Sequence, residues 1–196
     1  MPRSSRWPAI APEMICVLDT CALVNMKKTE LLKIEEQFGI FVAMTPMLAS
    51  GALAFPRQVA AEMARAQYPD TPGTWVVAYK SQVIYPDPGD DAMAEVQGAA
   101  QLTDPAGDSD FEPADPYVVA MAWELSQHYP ESRVNVVSDD FVDRMPRKQS
   151  VAFACNELGI ECWRSDAFVE HMRGVMTLHR HPTATSPTSM PGEPDL

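Results

Sequence analysis

The feature that most limits what this chain can fold into is the run Ile15-Cys16-Val17-Leu18-Asp19-Thr20-Cys21-Ala22-Leu23-Val24. Four apolar residues lead straight into a carboxylate, and a small polar turn then opens a second apolar segment. A continuous apolar run after Pro12, ended by Asp19-Thr20, reads as a parallel strand buried on both faces. Open α/β sheets carry their chemistry at the carboxyl ends of such strands, which makes Asp19 the first candidate site residue. Its structural explanation is a helix cap or an Asx-turn. The rest of the chain has to decide between the two.

At 196 residues and 46% hydrophobic content the chain has the material for one full α/β domain and little more. No apolar run is long enough to span a bilayer, and Met1–Ala11 lacks a signal-peptide core, so a cytoplasmic protein without a membrane partner is expected. Cys16, Cys21, Cys155 and Cys162 form no CxxC pair, and His128 and His171 have no HxxxH partner, which argues against zinc, histidine-ligated metals and a disulfide framework. The net charge of −12 is uneven, because Ser81–Ser132 carries acids and no Lys or Arg. Most of those carboxylates read as a solvated face. So acidic a chain binds nucleic acid only with help from divalent metal and a local basic patch.

In chain order, residues 1–13 read as a mobile lead-in. The apolar spacing predicts helical pieces over 29–38 and 41–48, separated at Gly39, then a second strand over 52–55. A helix opens at Pro56 with Val59, Met63 and Ala66 on its buried stripe and Glu62 at the border. Helices over 71–82 and 89–102 follow, with an extended piece over 83–85 between them. Asp115-Pro116 opens a helix to about His128, for which an Asp cap followed by Pro is a sufficient structural explanation of Asp115. Val134–Ser138 is a clear strand ending at Asp139-Asp140. A helix over 147–158 stops at Gly159, and residues 160–163 form a last strand before a short helix at Ser165. The domain is thus expected to span 14–172, with 173–196 a disordered tail, since Thr, Pro, Ser and charge cannot build a core.

Strands alternating with helices imply a three-layer α/β/α sandwich around a central, mainly parallel sheet. Two of its strands end in acid, and neighbouring strand ends converge. Two bare carboxylates about 4 Å apart repel by roughly 4 kcal/mol at an effective dielectric of about 20. Such a cluster is tolerated when it holds hard cations, and oxygen-only ligands suit Mg²⁺ or Mn²⁺.

At this point the sequence resembles the PIN-domain family of metal-dependent ribonucleases, many of them toxins of bacterial toxin–antitoxin pairs. The opening Leu-Asp-Thr is matched by Leu18-Asp19-Thr20, and the Val-x-x-Glu setting of the second acid by Val59-Ala60-Ala61-Glu62. The helix-opening third acid is matched by Asp115 in Asp115-Pro116-Tyr117-Val118-Val119-Ala120, and Thr-x-Asp by Ser138-Asp139-Asp140. The four motifs stand in family order between Ile15 and Phe168. At the fourth, the spacing selects Asp140, with Asp139 adjacent and Asp143 one turn on. The chain departs from the family after that acid, with Phe141-Val142-Asp143-Arg144 where many relatives continue with Asp-Phe. The connection over 67–114 exceeds a minimal version of the fold and reads as a lid or partner surface.

The resemblance implies an endoribonuclease using one or two Mg²⁺ or Mn²⁺ ions. Asp19 and Asp115 would be its central ligands, with Glu62 and Asp140, or Asp139 beside it, completing the shell. Thr20 or Ser138 would orient a ligand or the attacking water. Lys27, Lys28, Arg144, Arg147 and Lys148 are the candidates for holding the RNA backbone, against a plain solvated surface. The implied partners are an RNA substrate and a cognate antitoxin protein, with a homodimer as an assembly to consider. The competing readings are an inactive PIN-like binding module, an aspartate-nucleophile phosphatase and a dinucleotide-binding domain. The phosphatase needs a second Asp where Cys21 stands, and no GxGxxG follows a strand.

Overall fold

The computed structural model describes residues 7–28, 32–65, 70–105 and 112–180. Its centre is a four-stranded, all-parallel sheet in the order β2-β1-β3-β4, made by Met14–Leu18 (β1), Leu53–Ala54 (β2), Arg133–Val137 (β3) and Glu161–Trp163 (β4). Strand β1 pairs along its whole length with β3, Ile15 opposite Val134 and Leu18 opposite Val137, and through Cys16 and Val17 with β2. Having neighbours on both sides and helices on both faces explains why its sequence is apolar without alternation.

The helices are Thr20–Asn25 (α1), Ile34–Ser50 (α2), Arg57–Ala64 (α3), Thr71–Tyr79 (α4), Asp90–Ala99 (α5), Asp115–His128 (α6), Val151–Glu157 (α7) and Ser165–Arg180 (α8). Helices α5, α6 and α7 pack together in one layer and α1, α2 and α8 in the other, with α3 and α4 packed beside α1 and α2. Helix α6 also lies against the sheet. This arrangement is consistent with a three-layer sandwich. Helix α6 is the middle of its layer, with Val118 through Ala122 and Leu125 all buried. On the opposite face Ile40, Met44 and Leu48 of α2 meet a core that Phe168, Val169 and Met172 of α8 complete.

Several boundaries differ from the sequence expectation. Helix α2 is continuous through Gly39 and Pro46. A helical glycine costs only about 1 kcal/mol against alanine, and the buried Ile40, Phe41 and Met44 around it supply the packing that outweighs it. The helix stops at Gly51, whose φ of 78° is left-handed; an added Cβ there would lie 2.5 Å from the Tyr85 hydroxyl, which donates to the Gly51 carbonyl. Helix α7 begins at Val151 rather than at 147, because Ser150 caps it by accepting the Phe153 N–H at 3.2 Å. Residues 144–148 instead form a tight hairpin, the Arg144 N–H donating to the Lys148 carbonyl at 2.7 Å.

Both ends of the expected domain also move. The lead-in over 7–13 is packed: Trp7 lies 4.3 Å from the His128 ring, and the Pro8 and Pro12 carbonyls accept from Tyr129 Oη and Ser132 Oγ. Helix α8 runs on to Arg180, so a boundary at 172 falls inside it. Met176 packs against the core and Arg173 reaches Glu36 of α2, which gives this stretch a surface to fold on. Residues 181–196 lie outside the described residues, as does Ala66.

Candidate functional site

Sheet order 2-1-3-4 reverses direction between β1 and β3, so the crevice beyond their carboxyl ends is the topological switch point. Asp19 stands there, directly after β1, and Ser138, Asp139 and Asp140 directly after β3. The two strand ends are tied together, the Asp19 N–H donating to the Val137 carbonyl at 3.0 Å.

Asp19 occupies the N-cap position of α1, yet its carboxylate makes no capping hydrogen bond. It is only 1% exposed, and its Oδ2 accepts from Ser138 Oγ at 2.7 Å and from Cys21 Sγ at 2.9 Å. Its Oδ1 has no hydrogen-bond partner. Burial, and then the nearby Asp115 charge, push its pKa up to about 7, against the pull of the Cys21 and Ser138 hydrogen bonds. The capping explanation of Asp19 therefore fails on geometry.

It fails for Asp115 too. Asp115 is the first helical residue of α6, and the residue before it, Ala114, takes the cap position. The backbone donor at this helix start is satisfied from elsewhere: the Ala114 N–H donates to Glu62 Oε1 at 2.8 Å. Glu62 thus sits where α3 meets the start of α6, one residue before Asp115. The Asp115 carboxylate pairs with the Lys148 ammonium.

The same ammonium lies 3.1 Å from Asp140 Oδ2, an oxygen that otherwise lacks a partner. Asp140 Oδ1 accepts from Arg144 at 3.2 Å, and its backbone N–H donates to Ser138 Oγ at 3.1 Å. Burial works against the charge on Lys148, but Asp115 and Asp140 outweigh it and hold its pKa above the ordinary lysine value. Lys148, half-buried, therefore faces the acids and not the solvent.

Of the three neighbouring acids after β3, only Asp140 shares a counter-ion with Asp115. Asp139 has both oxygens taken, Oδ2 by Asn25 Nδ2 at 2.6 Å and Oδ1 by the Ser165 N–H at 3.2 Å, so it fastens α1 and the start of α8. Asp143 accepts the Ser150 N–H, which holds its carboxyl below the usual range. Thr20 Oγ1 is buried without a hydrogen-bond partner, whereas Ser138 Oγ donates to the Asp19 carboxylate. Arg144 and Arg147 are exposed on the hairpin, and Lys27 is paired with Asp70 at 2.9 Å.

Sequence reasoning missed Cys21 and Asn25. Burial and the Asp19 charge raise the Cys21 thiol far above its ordinary pKa. It stays protonated, donating to Asp19 while its sulfur accepts the Asp139 N–H at 3.0 Å. The signal was available: a helix starting at Thr20 puts Cys21 and Asn25 one turn apart on one face.

Among the described residues, no three His, Cys, Asp or Glu side chains are gathered tightly enough to hold a metal ion as they stand. The donor chemistry nevertheless fits a hard divalent cation. Asp19, Asp115, Asp140 and Glu62 offer carboxylate oxygens alone, one of which is buried and unpartnered, and two of these acids already share a cation. No family model, no curated protein and no solved structure matches the chain.

Proposed function

We propose that this chain is a PIN-like endoribonuclease that hydrolyses RNA phosphodiesters with the help of Mg²⁺ or Mn²⁺. The observation that supports it is Asp19: a carboxylate held dry at the switch point of the sheet, relieved of capping, with one oxygen left without a partner. Folding gains nothing from such a group, and perturbed acids in a crevice are a recurring mark of function.

In this reading Asp19 and Asp115 would be the principal metal ligands, with Glu62 and Asp140 contributing directly or through water. The bound ion would supply Lewis-acid stabilisation of phosphoryl charge and lower the pKa of an attacking water. The chain's own residues do the rest. Ser138 and Cys21 fix the Asp19 carboxylate through Oδ2 and leave Oδ1 without a hydrogen-bond partner. Glu62 anchors the start of α6 and so the position of Asp115. Arg144 and Arg147, exposed at the rim, are suited to steer the RNA backbone toward an otherwise acidic protein. The toxin role and a cognate antitoxin follow from the resemblance alone.

A second reading is supported by Lys148, whose ammonium satisfies two of the four acids without any metal. On that view the chain is a PIN-like binding module without catalysis. Cleavage of a mixed RNA pool with Mg²⁺ or Mn²⁺, beside EDTA and Asp19→Asn controls, separates the two. Metal-dependent cutting that the substitution abolishes supports the nuclease. An inert protein that binds no metal by calorimetry supports the module.

A further inference from the structure

Lys148 is the least expected resident of the site. Its backbone is fixed: the Arg144 N–H donates to the Lys148 carbonyl, the Gln149 N–H donates to the Gln101 carbonyl at 2.7 Å, and Gln101 Nε2 donates to the Arg147 carbonyl at 2.8 Å. Its side chain is 18% exposed and ends between two carboxylates that are 17% and 9% exposed. Buried charge that is paired on both sides is held for electrostatic reasons, since an unpaired partner would carry the desolvation cost alone.

We infer that the Lys148 ammonium is a built-in counter-ion of the Asp115–Asp140 pair, and that a divalent cation binds this pair only by displacing it. The inference rests on the metal-dependent reading of the site. One ammonium contacts Asp115 Oδ2 and Asp140 Oδ2 together, so it stands at the point a cation bridging those two acids would take. A dication and an ammonium cannot occupy one point, and a dication that arrives beside the ammonium meets its repulsion. Asp19 Oδ1 is buried and unpartnered, and Asp19 lies near enough to Asp115 for their charges to oppose each other. The displaced ammonium needs no backbone movement, since four methylenes let it swing outward from a hairpin that stays pinned. The site is then latent at low free metal and opens as metal rises.

The test is titration of the full chain with Mn²⁺ alone by calorimetry at low ionic strength, comparing wild type with Lys148→Met. Removing the competing cation is expected to tighten Mn²⁺ binding at least tenfold and to enlarge the Mn²⁺-induced rise in Tm. If wild type binds Mn²⁺ and Lys148→Met binds it no tighter, the lysine inference is overturned while the metal reading stands. If neither protein binds Mn²⁺, both fall. Should Lys148→Met fail to fold, reductive methylation of wild type read by mass spectrometry decides. Lys148 is expected to be protected without metal and several-fold more reactive at saturating Mn²⁺; a lysine that stays protected at saturation overturns the proposal.

Discussion

The two ends of the central sheet are built on opposite principles. At the amino end the charged side chains Arg133 and Glu161 match each other near the surface. Arg133 forks onto Glu161 of the neighbouring strand at 2.8–3.1 Å, and the Glu13 carbonyl accepts the Arg133 N–H. At the carboxyl end Asp19 and Asp140 are buried, Asp19 Oδ1 and Thr20 Oγ1 have no partner, and one lysine serves two carboxylates. One end is arranged for stability. In the proposed reading the other spends stability to keep charge ready for a ligand, which is where proteins commonly break their own rules.

The largest effect should come from neutralising Asp19. If the carboxyl end is a metal-dependent nuclease, Asp19→Asn lowers RNA cleavage by about 10²–10³-fold, in line with loss of one well-placed electrostatic group. An unchanged rate in a preparation free of contaminating nuclease would remove Asp19 from the chemistry.

The same substitution should stabilise the fold, and the sign is fixed by the pKa. Folding raises Asp19 from 3.8 to about 7, so the native state holds its proton more tightly than the unfolded chain. Its stability contribution is full below about pH 4 and is lost as pH climbs toward 7. Each pKa unit corresponds to about 1.4 kcal/mol, and each kcal/mol to about 2–4 °C in Tm for a chain of this size. Metal-free Asp19→Asn is therefore expected to melt several degrees above wild type at pH 8 and close to it at pH 4. A gap of equal size at both values would mean that the charge on Asp19 carries no cost.

Ser138→Ala tests how that charge is held. Its hydroxyl donates to Asp19 Oδ2 and accepts from the Asp140 N–H, both buried. A hydrogen bond to a charged group is worth about 1.5–3 kcal/mol, so Ser138→Ala should lower Tm at pH 8 by several degrees. In the Asp19→Asn background the loss should shrink by half or more. Additive losses in that double-mutant cycle would show the two side chains to be uncoupled.

What the sequence made legible follows the same division. Strands β1 and β3 were plain because strands buried on both faces leave an unbroken apolar record, and Asp19 and Asp140 were plain because they interrupt it. Asp115 looked like a cap in sequence. Only the fold reveals that Glu62, 52 positions away, takes over the backbone contact at that helix start. Lys148 read as an outward RNA contact because nothing local states that a hairpin over 144–148 turns it inward. Asp139 and Asp140 are indistinguishable as neighbours, yet the loop after β3 sends them to different partners, one to Asn25 and Ser165 and one to Lys148. Gly39 misled because packing overrode propensity.

The smallest effect belongs to the amino end, and it sharpens the contrast by being small. Arg133 and Glu161 are 60% and 46% exposed, so their attraction is screened by water despite the forked geometry. Glu161→Ala should cost about 0.2–1 kcal/mol, a shift in Tm of at most a few degrees that narrows further in 0.5–1 M salt. RNA cleavage should be unaffected, since the pair lies at the other end of β3 from Asp140. The decisive comparison is with Asp19→Asn under the same conditions. One substitution deletes a satisfied carboxylate and should lower Tm slightly without touching activity; the other deletes an unsatisfied carboxylate and should raise Tm while abolishing it. Were Glu161→Ala to impair cleavage as well, the separation of a stabilising end from a working end would fail, and the acids beyond β1 and β3 would have to be judged as part of one continuous charged surface.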